Sequence, residues 1–190
     1  MKQKRLVRLQ QLQKIRNKSC KLCMLQSTTF GNVCVMGRGQ SLAKIMLVGE
    51  APGEAEARTG KPFMGKAGMV LNALILEADL EGEVYITNVV KCRPPQNRKP
   101  EGVEINICSD AYLDREIALL RPRVIVALGV PATSRFFRSK TWRRGIVQFN
   151  SHYKTKVIPT WHPSYVARFV SRTARDELLG ALKLAKEQAQ

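Results

Sequence analysis

Four short runs of apolar residues punctuate the chain, at 44–49 (KIMLVG), 84–89 (VYITNV), 123–129 (RVIVALG) and 156–160 (KVIPT). Each is rich in Val, Ile and Leu and ends near Gly, Pro, Asn or a polar residue, as strands covered on both faces do. Apolar residues recur at three- and four-residue spacing over 67–78, 106–120 and 176–186, which predicts helices. Strands alternating with helices predict an α/β fold, a three-layer α/β/α sandwich around a four-stranded parallel sheet. In such sheets the working residues sit in loops leaving the C-terminal strand ends.

The segment 1–18, with Leu6, Leu9, Leu12 and Ile15 three apart, reads as a basic amphipathic helix running directly into Cys20. With 190 residues, 44% of them hydrophobic, and no internal repeat or long linker, the chain is expected to form one domain over 1–190. No apolar run approaches the roughly 18 residues that cross a bilayer, and the polar N-terminus lacks the apolar core of a secretory signal. A soluble, cytoplasmic protein with no membrane partner is the expectation.

Charge sharpens that picture. The net charge of +17 is uneven: residues 1–18 carry seven Lys/Arg and no acid, and 117–175 carry twelve Lys/Arg and no Asp or Glu. A stretch without carboxylates cannot be neutralised locally, so unless acids from 19–116 fold over it, it presents a positive surface suited to nucleic acid.

Five cysteines in a chain read as intracellular point to a metal site or isolated thiols rather than a disulfide scaffold. Cys20 and Cys23 form a C-x-x-C pair, Cys92 and Cys108 follow downstream, and Cys34 stands alone. A C-x-x-C turn aims two thiolates at one centre, and two more complete a four-sulfur site. Spacing alone leaves zinc and iron–sulfur both open, beside buried thiols that act only as small hydrophobes.

Three loops after the expected strands concentrate unusual chemistry. The first reads Gly49-Glu50-Ala51-Pro52-Gly53-Glu54-Ala55-Glu56, then Gly60-Lys61-Pro62-Phe63-Met64-Gly65, a rigid turn holding carboxylates at its rim. It matches neither phosphate-binding glycine pattern, so no nucleotide cofactor is expected. The second carries Asn88, whose amide is able to read a hydrogen-bonding edge, and continues Lys91-Cys92-Arg93-Pro94-Pro95-Gln96-Asn97-Arg98. The third holds one of two histidines, in Trp161-His162-Pro163-Ser164-Tyr165, where Pro163 and a capping Ser164 would fix the imidazole's direction.

Together these residues closely resemble the family 4 uracil-DNA glycosylases, the iron–sulfur branch of the uracil glycosylase superfamily. The matching signatures are Gly49 to Gly53, Gly60 to Gly65, Tyr85 to Pro95 with Asn97-Arg98, and His162 to Tyr165, in order, over about 20–168. The resemblance implies that Cys20, Cys23, Cys92 and Cys108 hold a [4Fe-4S] cluster, a clamp on the chain rather than an electronic participant. Cys34 has no counterpart and is left as a structural or free thiol. Phe63 matches the ring that stacks on a flipped uracil. Asn88 matches the amide that donates to O4 and accepts from N3–H. His162 matches the donor facing O2, where charge accumulates as the glycosidic bond breaks. Glu50 matches the acid that orients or deprotonates the attacking water, with backbone atoms of Glu50, Ala51 and Pro52 lining the pocket. Family members often read Glu-Asp where this chain has Glu56-Ala57, so Glu56 is an alternative water-positioning carboxylate. Arg98, Pro163, Ser164, Tyr165 and Arg168 fall where the family meets DNA. The implied activity is DNA repair: extrusion of uracil from DNA and hydrolysis of its N-glycosidic bond, leaving an abasic site, by a monomeric enzyme. The competing reading is an iron–sulfur DNA-binding protein with weak or lost glycosylase activity.

Overall fold

The computed structural model describes residues 20–25, 34–137 and 141–190, together with Gln3, Val7, Gln10 and Gln11. The helix expected over 1–18 thus lies outside the described residues except at those four positions. The described elements are β1 (Arg38–Gly39), β2 (Ile45–Gly49), α1 (Glu54–Thr59), α2 (Lys66–Glu77), β3 (Val84–Asn88), α3 (Gly102–Cys108), α4 (Asp114–Leu120), β4 (Val124–Leu128), α5 (Val130–Phe136), β5 (Gln148–Asn150), β6 (Thr155–Thr160), α6 (Pro163–Phe169) and α7 (Arg172–Gln188).

The expected sheet needs correction. It has six strands in the order β1-β3-β2-β4-β6-β5, and is mixed. The four apolar runs form the parallel centre, β3-β2-β4-β6, while β1 and β5 add antiparallel edges. Those edges are two and three residues long and lack an apolar run, so no hydrophobic pattern announces them. Such short edges also discourage pairing with other chains.

Strand residues alternate between two cores. Met46, Val48, Ile125, Ala127 and Val157 pack with Tyr112, Leu113, Ile117 and the buried cysteines on one face. Ile45, Leu47, Val124, Val126 and Ile158 pack on the other with Leu71 and Leu74 of α2 and Leu178 and Leu182 of α7. A period-two strand between helices produces this division.

The helix expected over 106–120 begins earlier and is interrupted. Glu101 opens α3 with its N–H donating to Glu104 Oε2 (2.7 Å), and a π-turn at Ser109–Leu113 separates α3 from α4. At the other end, Ser171 caps α7 through Ala174 N–H and so starts it ahead of its apolar stripe. The short helices α1, α5 and α6 are too brief for periodicity to reveal. Each follows a glycine or histidine turn at a C-terminal strand end.

Candidate active site

A cavity of about 500 Å³ opens at the C-terminal end of the parallel strands. It is lined by residues from all three loops singled out in the sequence: Glu50, Ala51, Pro52, Phe63, Asn88 and His162, with Glu56, Arg98, Ser164 and Arg168 around them. Strand order reverses at β2, so the loops after β2 and β3 diverge from the loop after β6 and leave a crevice between them.

Asn88 ends β3 directly opposite Gly49, the last residue of β2. The ladder continues past both strands, with Val89 N–H donating to Gly49 O (2.9 Å) and Val90 N–H to Glu50 O (3.0 Å). Asn88 is 2% exposed, and among the described residues its Oδ1 has no hydrogen-bond partner. A buried carbonyl oxygen left in that state costs about 1–3 kcal/mol, which a ligand N–H would recover. Gly49 is required here by close approach, since a Cβ on it would lie 2.5 Å from Asn88 Oδ1 and 2.6 Å from Phe63 Cζ. Phe63 is itself buried and held at a φ of 56°, an uncommon conformation for a bulky residue. Its ring centroid is 6.0 Å from that of His162.

His162 is the N-cap of α6. Its Nδ1 accepts from Ser164 N–H (3.2 Å) and lies 2.7 Å from Ser164 Oγ. An amide N–H only donates, so Nδ1 carries no proton and the neutral ring's N–H is on Nε2. Burial pushes the ring's pKa down to about 4, against a smaller upward pull from Glu56. The imidazole therefore stays neutral across the physiological range while presenting a donor.

The two candidate carboxylates differ. Burial raises the pKa of Glu50, with Lys99 pulling it back. Glu56 is occupied by the main chain: Oε2 accepts from Gly53 N–H (3.0 Å), and Oε1 from Met64 (2.8 Å) and Gly65 (3.0 Å) N–H. It ties the first glycine turn to the segment that follows Phe63. Ala57, the next residue, is buried.

Around the mouth, Arg98 forms a two-pronged pair with Glu104 at 2.7 and 2.9 Å, and that pairing lowers the Glu104 pKa. Pro163 is buried at the start of α6, whereas Ser164, Tyr165 and Arg168 are exposed. Lys66 and Lys99 also line the cavity, and no motif in the sequence had marked them. Acids from the middle of the chain do fold over part of the basic segment: Arg135 pairs with Asp110 and Asp114, and Arg175 with Glu77. Arg144 instead stacks 3.7 Å above Trp161, which stacks on Tyr165 with centroids 4.5 Å apart.

Cys20, Cys34, Cys92 and Cys108 are buried in one core cluster, with half-buried Cys23 packed against it and none in a disulfide. Cys34, which the sequence left unassigned, lies 3.8 Å from Cys92, Sγ to Sγ. This hydrogen-bonded contact pulls the Cys34 thiol down to about 7 and pushes Cys92 up, while burial pushes Cys108 up to about 12. Among the described residues, no group of three or more Cys, His, Asp or Glu side chains is arranged to hold a metal ion. No described helix is long and apolar enough to cross a membrane.

A buried amide with an open acceptor, an aromatic ring and a neutral imidazole thus line one crevice at the strand ends of an α/β fold. Residues 36–185 match the family model described as the uracil DNA glycosylase superfamily. The chain is 46% identical over 167 residues to the type-4 uracil-DNA glycosylase of Sulfurisphaera tokodaii, covering 80% of this chain and 74% of that protein. It is 43% identical to the type-4 uracil-DNA glycosylase of Thermotoga maritima, covering 90% of each. The crystal structure of wild-type Pedobacter heparinus SMUG2 shares the fold at 10% identity, with a TM-score of 0.53 over 76% of each chain. The chain belongs to the uracil DNA glycosylase superfamily.

Proposed function

We propose that the protein is a uracil-DNA glycosylase of DNA repair, which draws uracil out of DNA and hydrolyses its N-glycosidic bond. Free uracil and an abasic site are the products. One observation carries the reading: the buried, unpartnered Asn88 Oδ1 in a cavity shared with Phe63 and His162. Uracil offers an N–H at N3 to that oxygen and a carbonyl at O4 to the Asn88 amide nitrogen, whereas cytosine reverses both. Extrusion costs about a few kcal/mol of unstacking, offset by stacking on Phe63 and by these bonds.

As the C1′–N1 bond breaks, its electron pair leaves with the base and spreads onto O2. His162 Nε2–H, neutral and oriented through Nδ1, donates to that developing charge and favours the transition state over the ground state. Glu50 receives the proton of the water that attacks C1′. Glu56, with both oxygens engaged by main-chain N–H groups, holds the loop geometry instead. Ser164, Tyr165 and Arg168 meet the DNA strand on Pro163's rigid turn. Arg98 shapes the mouth from its pair with Glu104.

The donor set supports a [4Fe-4S] cluster on Cys20, Cys23, Cys92 and Cys108, since these free thiols gather in one apolar cluster of the fold. When bound, that group would supply cross-links between the segment at 20–23 and the chain from Asn88 to α3. Residues 1–190 form one glycosylase domain in this reading, acting as a monomer inside the cell, where its DNA substrate is.

The test uses matched oligonucleotides carrying U, T or C, incubated with the protein and then with alkali. Strand cleavage only at U, lost in His162→Ala with DNA binding retained, is expected. Retained uracil in the presence of wild-type protein that still binds DNA would leave only a binding module.

A further inference from the structure

We infer that Lys91 is a positioning residue: paired with Glu116, it fixes the main chain that sets Asn88 against the base. This rests on the uracil-excision reading and adds a residue that touches no substrate.

Lys91 and Glu116 are 0% exposed, and their charged groups are 2.7 Å apart. All three Lys91 Nζ protons are used, on Glu116 Oε2, on Thr87 Oγ1 at 2.6 Å and on the Asn88 carbonyl at 2.7 Å. Glu116 is equally full. Its Oε2 also accepts from Thr87 Oγ1 (2.9 Å), and its Oε1 accepts from Tyr85 Oη (2.9 Å) and Gly37 N–H (3.1 Å). The partners are therefore concentrated on β3 and its end: Tyr85, Thr87 and Asn88.

Stability alone does not account for such a pair, because two buried charges are usually matched or bettered by apolar side chains of like volume. Its particular effect is on Asn88. Asn88 is the last residue of β3, and its carbonyl accepts from the Lys91 ammonium group. Lys91's own main chain is pinned on both sides, its N–H on Cys108 Sγ at 3.2 Å and its carbonyl accepting from Val35 N–H at 2.7 Å. A brace anchored in the cysteine cluster thus reaches the one residue that reads the base edge. Among the described residues the Asn88 Oδ1 has no partner to hold it, so its placement depends on this main-chain anchoring and on contact with Gly49.

The experiment replaces both charges at once, Lys91→Met with Glu116→Leu, so that neither is left buried alone, and measures single-turnover uracil excision, DNA affinity and thermal unfolding. Near wild-type DNA affinity with excision down on the order of 10- to 100-fold is expected, the scale of a small misplacement of a binding group, together with a lower unfolding temperature because Thr87, Tyr85, Gly37 and the Asn88 carbonyl lose their bonds to the pair. The same pair introduced into Asn88→Ala is expected to change excision by less than about threefold, because the effect acts through Asn88. Wild-type excision in the pair variant, or an equal loss in both backgrounds, would overturn the inference. If the apolar pair does not fold, Lys91→Gln with Glu116→Gln carries the same cycle, the shorter amide falling short of the Asn88 carbonyl. Failure of the wild-type protein itself to excise uracil would instead remove the functional reading on which this rests.

Discussion

The Ser164 main-chain N–H donates to His162 Nδ1, and this single bond decides which edge of the imidazole faces the cavity with a proton. The proton is on Nε2, and a ring pKa near 4 keeps it the only one at neutral pH. Excision should therefore show no break near about 6.5, where an ordinary histidine titrates. Its acid limb should instead follow Glu50, whose raised pKa means that the ionised form is lost as pH falls through a value above the usual carboxylate range. A pH–rate profile of wild type against Glu50→Gln checks this: the limb should vanish in the variant along with most of the rate.

Folding should report His162 as well. Its pKa falls from 6.5 to about 4 on folding, so the unfolded chain binds the proton more readily. The stability due to the neutral ring is complete above 6.5 and is lost as pH falls toward 4. Urea unfolding across that window should show wild type losing more stability than His162→Gln.

The two carboxylates separate by experiment. Glu56→Gln places an amide NH₂ against main-chain donors and should cost about 1–3 kcal/mol in unfolding free energy, with a loss of activity that follows the loosened loops. Glu50→Gln should leave stability nearly unchanged. Equal unfolding curves for the two variants would contradict the division of labour.

Gly49→Ala should reduce excision about 100-fold or more, because its methyl group would stand within 2.6 Å of both Asn88 Oδ1 and Phe63 Cζ. Overpacking there should also cost about 1–3 kcal/mol, measurable by denaturant unfolding.

Salt dependence distinguishes the arginines at the mouth. Arg168 is exposed and free to meet phosphate, so Arg168→Ala should lower the slope of log affinity against log salt by about one unit. Arg98 is engaged by Glu104, and Arg98→Ala should show up in stability more than in that slope.

The parallel centre of the sheet was legible because each of its strands is buried on both faces and reads as an unbroken apolar run. Edge strands such as Arg38–Gly39 carry no such mark, and their pairing depends on a neighbour far away in the chain. Motif residues such as Asn88 and His162 stood out because loops at strand ends keep an unusual composition together in sequence. Glu56 is different: in sequence it is a carboxylate in a glycine-rich turn, and only the fold brings the main-chain amides of Met64 and Gly65 to its oxygen. Lys91 and Glu116 are 25 residues apart and become partners only when α4 packs under the sheet. Cys34 likewise has no spacing signature, and its contact with Cys92 exists only in three dimensions.

The ladder that runs on from β3 onto Gly49 and Glu50 has a consequence for how specificity changes. In the proposed mechanism, the amide that would select the base and the carboxylate that would act on the water are carried by one stretch of paired backbone. A shift of that backbone to admit a different base moves the hydrolytic group by the same displacement. New substrates should therefore be reached by exchanging side chains on an unmoved frame, and insertions or deletions in these two loops should abolish turnover before they alter preference.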